Sequence, residues 1–417
     1  MRIQTILNNL IDMKGFTLGK AIMDDKSNLI FDVAARKGSQ GICSVCGSRG
    51  PSYDSLPRRL FQFVPIWGRQ VYFAYSMRRV NCPSCGGIKV ESVPWGEGKS
   101  PHTKHYMIFL AHWAKILSWK SVATEFHATW DTVYNAVRRA VEYGLPRRKI
   151  EDVKSIGVDE LQWKGGHKYI TAVWQLNGRK RLLWLGMDRT KATFESFFNE
   201  MEKIRKGFCK QIKHMCSDMW KPYMDVAAKR IPSAINILDR FHVMMKFSKA
   251  IDEVRADEAR RLKAEGQEPV LAKSKWLFLK NKINLTVKES FRLKDLLSMN
   301  LRTVKAYLLK EQFQQFWEFE CPALALRFLD TWCAKALVSR IEPMVNVAKT
   351  LQSHRVMLMN WFIAKKEFNS GMVEGLNLKA KNLFRRAFGY KSFKVVEAAL
   401  LHSLGDLPNE PLKHRLW

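Results

Sequence analysis

Between residues 150 and 240 the apolar pattern changes period repeatedly, and no other stretch restricts the fold as tightly. Ser155–Val158 reads as a short strand. Tyr169–Leu176 and Arg181–Met187 read as the next two, joined by the turn pair Asn177-Gly178 and preceded by a turn at Gly165-Gly166. Thr190–Arg205 has helical spacing, with Thr190 as its N-cap. His214–Ser217 follows as a short apolar strand, Lys221–Lys229 as a helix and Ala234–Leu238 as a strand. Three strands, helix, strand, helix, strand predict an α/β core. From Phe241 to about Lys366 the pattern is almost wholly helical and very basic.

Acids stand at the ends of these strands. In Ile156-Gly-Val-Asp159-Glu160, side-chain alternation sends Asp159 and Glu160 to opposite faces, so only one of them can line a site. Met215-Cys-Ser-Asp218-Met-Trp220 repeats the design after the fourth strand. Glu374 opens a last helix, about Val373–Phe388, that ends at Gly389. Each acid alone reads as a helix cap or an exposed strand end. Together they suit phosphodiester chemistry with two metal ions, which needs carboxylates converging from separate strands and helices. A carboxylate-only set favours the hard cation Mg2+ (or Mn2+). Asp239 reads first as the N-cap of the following helix, with a supporting role beside the acids as the alternative. His242 is expected to pack or to touch DNA rather than to act in the site.

The N-terminal region carries Cys43-Ser-Val-Cys46-Gly and Cys82-Pro-Ser-Cys85-Gly-Gly. Each pair can offer two thiolates from one tight turn, and two pairs complete a closed structural Zn2+ site. Cys209, Cys216, Cys321 and Cys333 lack ligand spacing and are expected to be buried thiols. Beyond the cysteines, Lys120–Phe126 reads as a short helix, His127-Ala128-Thr129 as a turn, and Trp130–Tyr143 as a longer helix capped by Thr129. Val133, Ala136, Val137, Ala140 and Val141 form its inward stripe, leaving Tyr134, Asn135, Arg138 and Arg139 on the other face. This predicts a helix-turn-helix whose second helix reads DNA, with plain helical packing as the alternative. Lys and Arg number 70 against 39 acids, a net charge of +31 over 417 residues, which points to a polyanionic partner. The length predicts two to four domains.

The strand and helix order resembles the RNase H-like fold, whose site uses acids at these places. The blocks Ile156-Gly-Val-Asp-Glu with Lys168-Tyr-Ile-Thr, Asp218-Met-Trp-Lys-Pro-Tyr223, Asp239-Arg-Phe-His-Val243 and Val373-Glu-Gly-Leu-Asn377 resemble bacterial insertion-sequence transposases of the ISL3 family. The cysteine knuckles and the helix-turn-helix fit the same family, and the resemblance runs from about Cys43 to Tyr390. It implies a DDE triad at Asp159, Asp218 and Glu374, and a helical insertion between the second and third acids. It implies cleavage at an element's ends, then attack of the freed 3′-hydroxyl on target DNA.

The expected organisation is a zinc-binding region over residues 1–100, a helix-turn-helix over 101–150, a catalytic domain over 151–240 and 367–405, and a helical insertion over 241–366. Glu374, Lys381 and Arg385 share one stripe of the last helix, bordered by Asn377, so Lys381 and Arg385 are expected to hold DNA phosphates. Leu383, Phe384 and Phe388 fall away from that stripe and are expected to pack on the sheet. The partners expected are double-stranded DNA, as transposon ends and target, and further copies of the chain in a homodimer or higher oligomer. With no signal pattern and no apolar run near the roughly 20 residues a bilayer needs, a cytoplasmic, nucleoid-associated protein without a membrane partner is expected. Two other readings are a DNA-binding regulator without chemistry, which the three acids oppose, and a nuclease of the same fold that cuts without joining.

Overall fold

The computed structural model describes residues 3–11, 13–364 and 370–412. The chain forms two compact units, Met1–Lys149 with Leu383–Trp417, and Ile150–Asn382. Among the described residues, no helix is long and apolar enough to cross a membrane.

The first unit begins with α1 (Ile3–Leu10), β1 (Phe16–Met23) and β2 (Leu29–Ala35). Short strands β3 (Gly41–Ile42), β4 (Arg49–Gly50) and β5 (Ser52–Ser55) lead to the hairpin β6 (Arg59–Ile66) and β7 (Arg69–Tyr75). The hairpin loop, Trp67-Gly68, has positive φ at both residues, the backbone that a tight two-residue turn demands. Then come β8 (Arg78–Asn81) and β9 (Ile88–Val90). The main sheet runs β1-β2-β7-β6. Its apolar face closes around Trp95, which is fully buried and meets Phe16, Phe61, Phe73 and Tyr75 edge to face.

Three helices follow: α2 (Lys104–Ile116), α3 (Trp119–Glu125) and α4 (Trp130–Gly144). Each has a hydroxyl N-cap, from Thr103, Ser118 and, as its sequence predicts, Thr129. Val133, Ala136, Val137 and Val141 of α4 are buried, while Ala140 is half-buried. Tyr106 of α2 ties in the turn after α3, its hydroxyl donating to the Phe126 carbonyl at 2.7 Å.

The second unit contains β10 (Ser155–Lys164), β11 (Lys168–Gln175), β12 (Arg181–Met187), α5 (Lys191–Ile204), α6 (Phe208–Gln211), β13 (His214–Ser217), α7 (Lys221–Arg230) and β14 (Ile235–Leu238). The sheet order is β12-β11-β10-β13-β14. The first three strands are antiparallel, and β13 and β14 run parallel to β10. Strand β10 is longer than its sequence suggests, because the pairing with β11 continues past Asp159. Helices α5 and α7 cover one face through Phe194, Phe197, Phe198, Tyr223 and Val226.

Among the described residues, seven α-helices follow before α15: α8 (Arg240–Ala264), α9 (Lys275–Leu279), α10 (Val287–Leu297), α11 (Arg302–Gln314), α12 (Pro322–Val338), α13 (Glu342–Ser353) and α14 (Arg355–Ile363). Phe247, Phe313 and Trp332 interlock among them. Buried Glu258 of α8 is satisfied by the start of α11, accepting from the Arg302 and Thr303 amides and the Thr303 hydroxyl at 2.7–2.8 Å.

The last elements are α15 (Ser370–Ala387) and α16 (Phe393–Leu404). The sequence division assigned 367–405 to the catalytic domain, but the chain from Leu383 onward belongs to the first unit. There α16 packs on α4, burying Val395, Val396, Ala399 and Leu400, an apolar set too long to leave in water. Two further expectations are corrected. Cys321 is exposed at the start of α12 and Cys209 is only partly buried, whereas Cys216 and Cys333 are buried. Phe388 does not pack on the sheet: it is 98% exposed, just past the end of α15.

Candidate functional site

Strand register aligns three acids in the second unit. Gly157 of β10 pairs with Cys216 of β13 in parallel, so Asp159 and Asp218, each two residues further on, stand level. Ser217 pairs with Leu238 of β14, so Asp218 and Asp239 stand level in turn. Parallel strands lie about 4.8 Å apart, so Asp159 inside β10 and the acids just past β13 and β14 come close together. Helix α15 lies against the central strand β10. A Cβ at Gly157 would lie 2.8 Å from Val373 Cγ2, so glycine is what lets the helix approach β10. Glu374 follows Val373 and is exposed.

One turn beyond Val373, buried Asn377 joins the helix to the acids. Its Oδ1 accepts from Trp174 Nε1 at 3.1 Å, and its Nδ2 donates to Asp159 Oδ2. The other Asp159 oxygen accepts from the Glu160 amide at 2.7 Å. Asp218 Oδ1 accepts from the Trp220 amide at 3.0 Å. Asp239 is the N-cap of α8, accepting from the Phe241 amide at 2.7 Å. His242 Nε2 lies 4.0 Å from Asp159 Oδ1, so this histidine faces the acids. Glu160 turns away, as alternation requires, to Arg189 at 3.1 Å.

Burial raises the pKa of Asp159; the Glu160 amide and His242 oppose the rise, and Asp239 and Asp218 add to it. Burial likewise raises Asp239, with His242 opposing and Glu374 adding. Four carboxylates thus share one electrostatic neighbourhood containing one histidine, a donor set that suits hard divalent cations. Among the described residues, these acids are not drawn together as tightly as the cysteines described next.

In the first unit, Cys43 follows β3 and Cys82 follows β8, and the Sγ atoms of Cys43, Cys46, Cys82 and Cys85 all lie within 4.8 Å of one another. Cys46 and Cys82 approach to 3.4 Å. The Val45 and Cys85 amides point at Cys43 and Cys82 Sγ, each at 3.4 Å. Gly47 and Gly86, directly after the two knuckles, have φ of 76° and 67°, which a side chain would resist. The Ser48 hydroxyl draws Cys46 down to about 6, while sharing hydrogen with Cys46 pushes Cys85 up to about 12. Four converging thiols of this kind fit a structural zinc ion.

The candidate DNA contacts fall into two groups. Asn135, Arg138, Lys381 and Arg385 are exposed, with Arg138 only loosely paired to Glu142 at 3.6 Å. Tyr134 is half-buried and stacks on Trp130 at 5.8 Å. Arg139 is not a free cation: it lies 2.8 Å from Glu97 and 2.5 Å from Glu410. No spacing in the sequence marks Asn377 or Trp174 as the pair that holds Asp159. The Asn377 position within the Val373–Asn377 block, one turn from Val373, was the available signal.

Three comparisons with known proteins bear on this geometry. A family model described as transposase, of the ISL3 DDE type, matches residues 156–400, more than half the chain. A transposase for insertion sequence element IS1001 of Bordetella parapertussis is 27% identical over 354 residues, covering 84% of this chain and 85% of that protein. A transposase for insertion sequence element IS1557 of Mycobacterium tuberculosis is 28% identical over 418 residues, covering 94% and 92%.

Proposed function

Because this chain belongs to the ISL3 family of DDE transposases, we propose that it binds the terminal inverted repeats of an insertion sequence and catalyses metal-dependent cleavage and strand transfer, with Asp159, Asp218 and Glu374 as the DDE ligands. The observation that carries the proposal is the parallel pairing of β10 with β13, which brings Asp159 of β10 beside Asp218 just past the end of β13, with α15 seated against β10 through Gly157 and Val373. The sheet order β12-β11-β10-β13-β14 supports an RNase H-like core. Bound Mg2+ or Mn2+ would stabilise the attacking and leaving oxygens of the phosphoryl transfer.

The chain's own part is positioning. Asn377 and the Glu160 amide fix both oxygens of Asp159. Beside Asp159, His242 opposes and Asp239 adds to the rise in its pKa. In the first unit, the cysteine cluster would hold zinc, and α3 with α4 would act as a helix-turn-helix that presents Asn135 and Arg138 to base edges and phosphates. Lys381 and Arg385 would hold phosphates near the cut. Two or more copies on paired ends would bring both ends to one target.

The test is incubation of the protein with its element's terminal repeats and Mg2+, reading end binding, cleavage and joining separately. Asp159→Asn, Asp218→Asn and Glu374→Gln should each lower cleavage by roughly a hundredfold or more, as loss of electrostatic stabilisation does, while end binding survives. Near-normal cleavage by any of them removes that residue from the triad. Cleavage without joining would favour a nuclease.

A further inference from the structure

Phe388 combines a left-handed backbone with an exposed ring. It stands just past the end of α15 at φ 53°, in the left-handed region that helix ends normally give to glycine. A bulky side chain there is strained, and the ring is 98% exposed, so no burial offsets the strain. The glycine that could occupy such a position, Gly389, comes one residue later.

Beside this ring lies a cavity of about 350 Å³ whose walls include Trp119, Trp130 and Tyr390. Trp119 is the first residue of α3 and Trp130 the first of α4, so the cavity lies at the N-terminal ends of both helices. The indoles are 5.4 Å apart, and Tyr390 meets Trp119 edge-on at 6.3 Å. Serines and the cations Lys120 and Arg386 share the lining with the aromatics, and no acid is among the described lining residues. Lys391 Nζ lies 5.5 Å from the Trp130 ring centre. Arg386 is fixed as a wall by the Lys115 and Ile116 carbonyls.

A cavity lined by aromatic rings set at steep angles to one another, with serines, a basic surround and an exposed aromatic beside it, has the chemistry of a nucleobase site. We propose that the Trp119–Trp130–Tyr390 cavity takes a single unstacked base of bound DNA, and that Phe388 wedges into the gap the base leaves. Aromatic wedges part base steps, and extruded bases are held between aromatic side chains. The proposal rests on the reading of α3 and α4 as DNA-facing, since helices so used meet base edges through their N-terminal residues.

The test measures affinity at fixed salt for three forms of one element-end duplex: fully paired, carrying one extrahelical adenine, and carrying an extrahelical abasic residue. The abasic form loosens and bends the duplex without offering a ring. The adenine form should bind roughly five- to a hundredfold tighter than the other two, the worth of one base–aromatic stack. Phe388→Ala and Ser121→Phe, the second chosen to fill the cavity from an exposed position on α3, should lose this preference. Both should keep affinity for the paired duplex and an unchanged melting temperature. Equal binding of all three duplexes by the wild type overturns the cavity proposal alone, as does an intact preference in both variants. Failure to bind even the paired duplex overturns the DNA-facing reading as well.

Discussion

Asn377 shows how one side chain sets the chemistry of another. Its amide has one end on an indole that is itself fully buried and the other on Asp159, so the carboxylate cannot rotate freely. Groups that orient a metal ligand commonly change metal affinity 10–100-fold when removed. Asn377→Ala should therefore raise the Mg2+ concentration for half-maximal cleavage by about tenfold. Trp174→Phe, which removes the donor holding the amide together with part of a buried ring, should shift it the same way but less. A purely structural role would lower the amount of folded protein and leave the Mg2+ dependence of the folded fraction unchanged. Cleavage assays across a Mg2+ titration, normalised to folded protein, separate the two.

At the scale of elements, α4 separates its two arginines by what they face. Arg138 is exposed and loosely paired, whereas Arg139 is clamped between Glu97 and Glu410. Arg138→Ala should weaken end binding and lower the slope of log affinity against log salt by up to about one unit. Arg139→Ala should instead lower the melting temperature and leave that slope unchanged. The spacing of α4 could not distinguish them, because the acids that hold Arg139 lie 42 and 271 residues away in the chain. The same limit runs through the fold. Strands β12 and β13 have the bounds their apolar runs predict, because those runs are short and buried. The two- to four-residue strands around the cysteines carry no readable period, since tight knuckle turns set their pairing. Asp159 and Asp218 were legible as acids beside apolar runs, though Asp159 lies inside β10 and not at its end. Their alignment with Asp239 was not, because parallel register is fixed by packing between distant segments. Phe388 misled for a related reason: helical spacing placed it on an apolar face, but the helix ends one residue before it.

At the scale of the whole molecule, the two units have separate cores and separate sensitivities. The cysteine cluster, His105 and His402 belong to the first, and the row of acids to the second. Burial holds His402 down at about 3, with Lys115 and His112 adding repulsion, and holds His105 down at about 4. Among the described residues, the Nδ1 of each has no hydrogen-bond partner. Both are neutral in the fold, while the unfolded chain takes up their protons near pH 6.5. Their contribution is therefore intact above that pH and is lost as pH falls from about 6.5 toward about 4, at up to about 1.4 kcal/mol per pH unit for each histidine. Zinc removal should weaken the same unit, since closed thiolate sites supply folding energy. Mg2+ should act on the other unit, by relieving repulsion among Asp159, Asp218, Asp239 and Glu374. Calorimetry should then resolve two transitions. Cys43→Ser, a zinc chelator, or a change from about pH 7 to about pH 5 should lower one of them, and His402→Leu should reduce its pH dependence. Mg2+ should raise only the other, and Asp159→Asn should remove that response. A single transition that moves under all these treatments would show that the two units unfold as one.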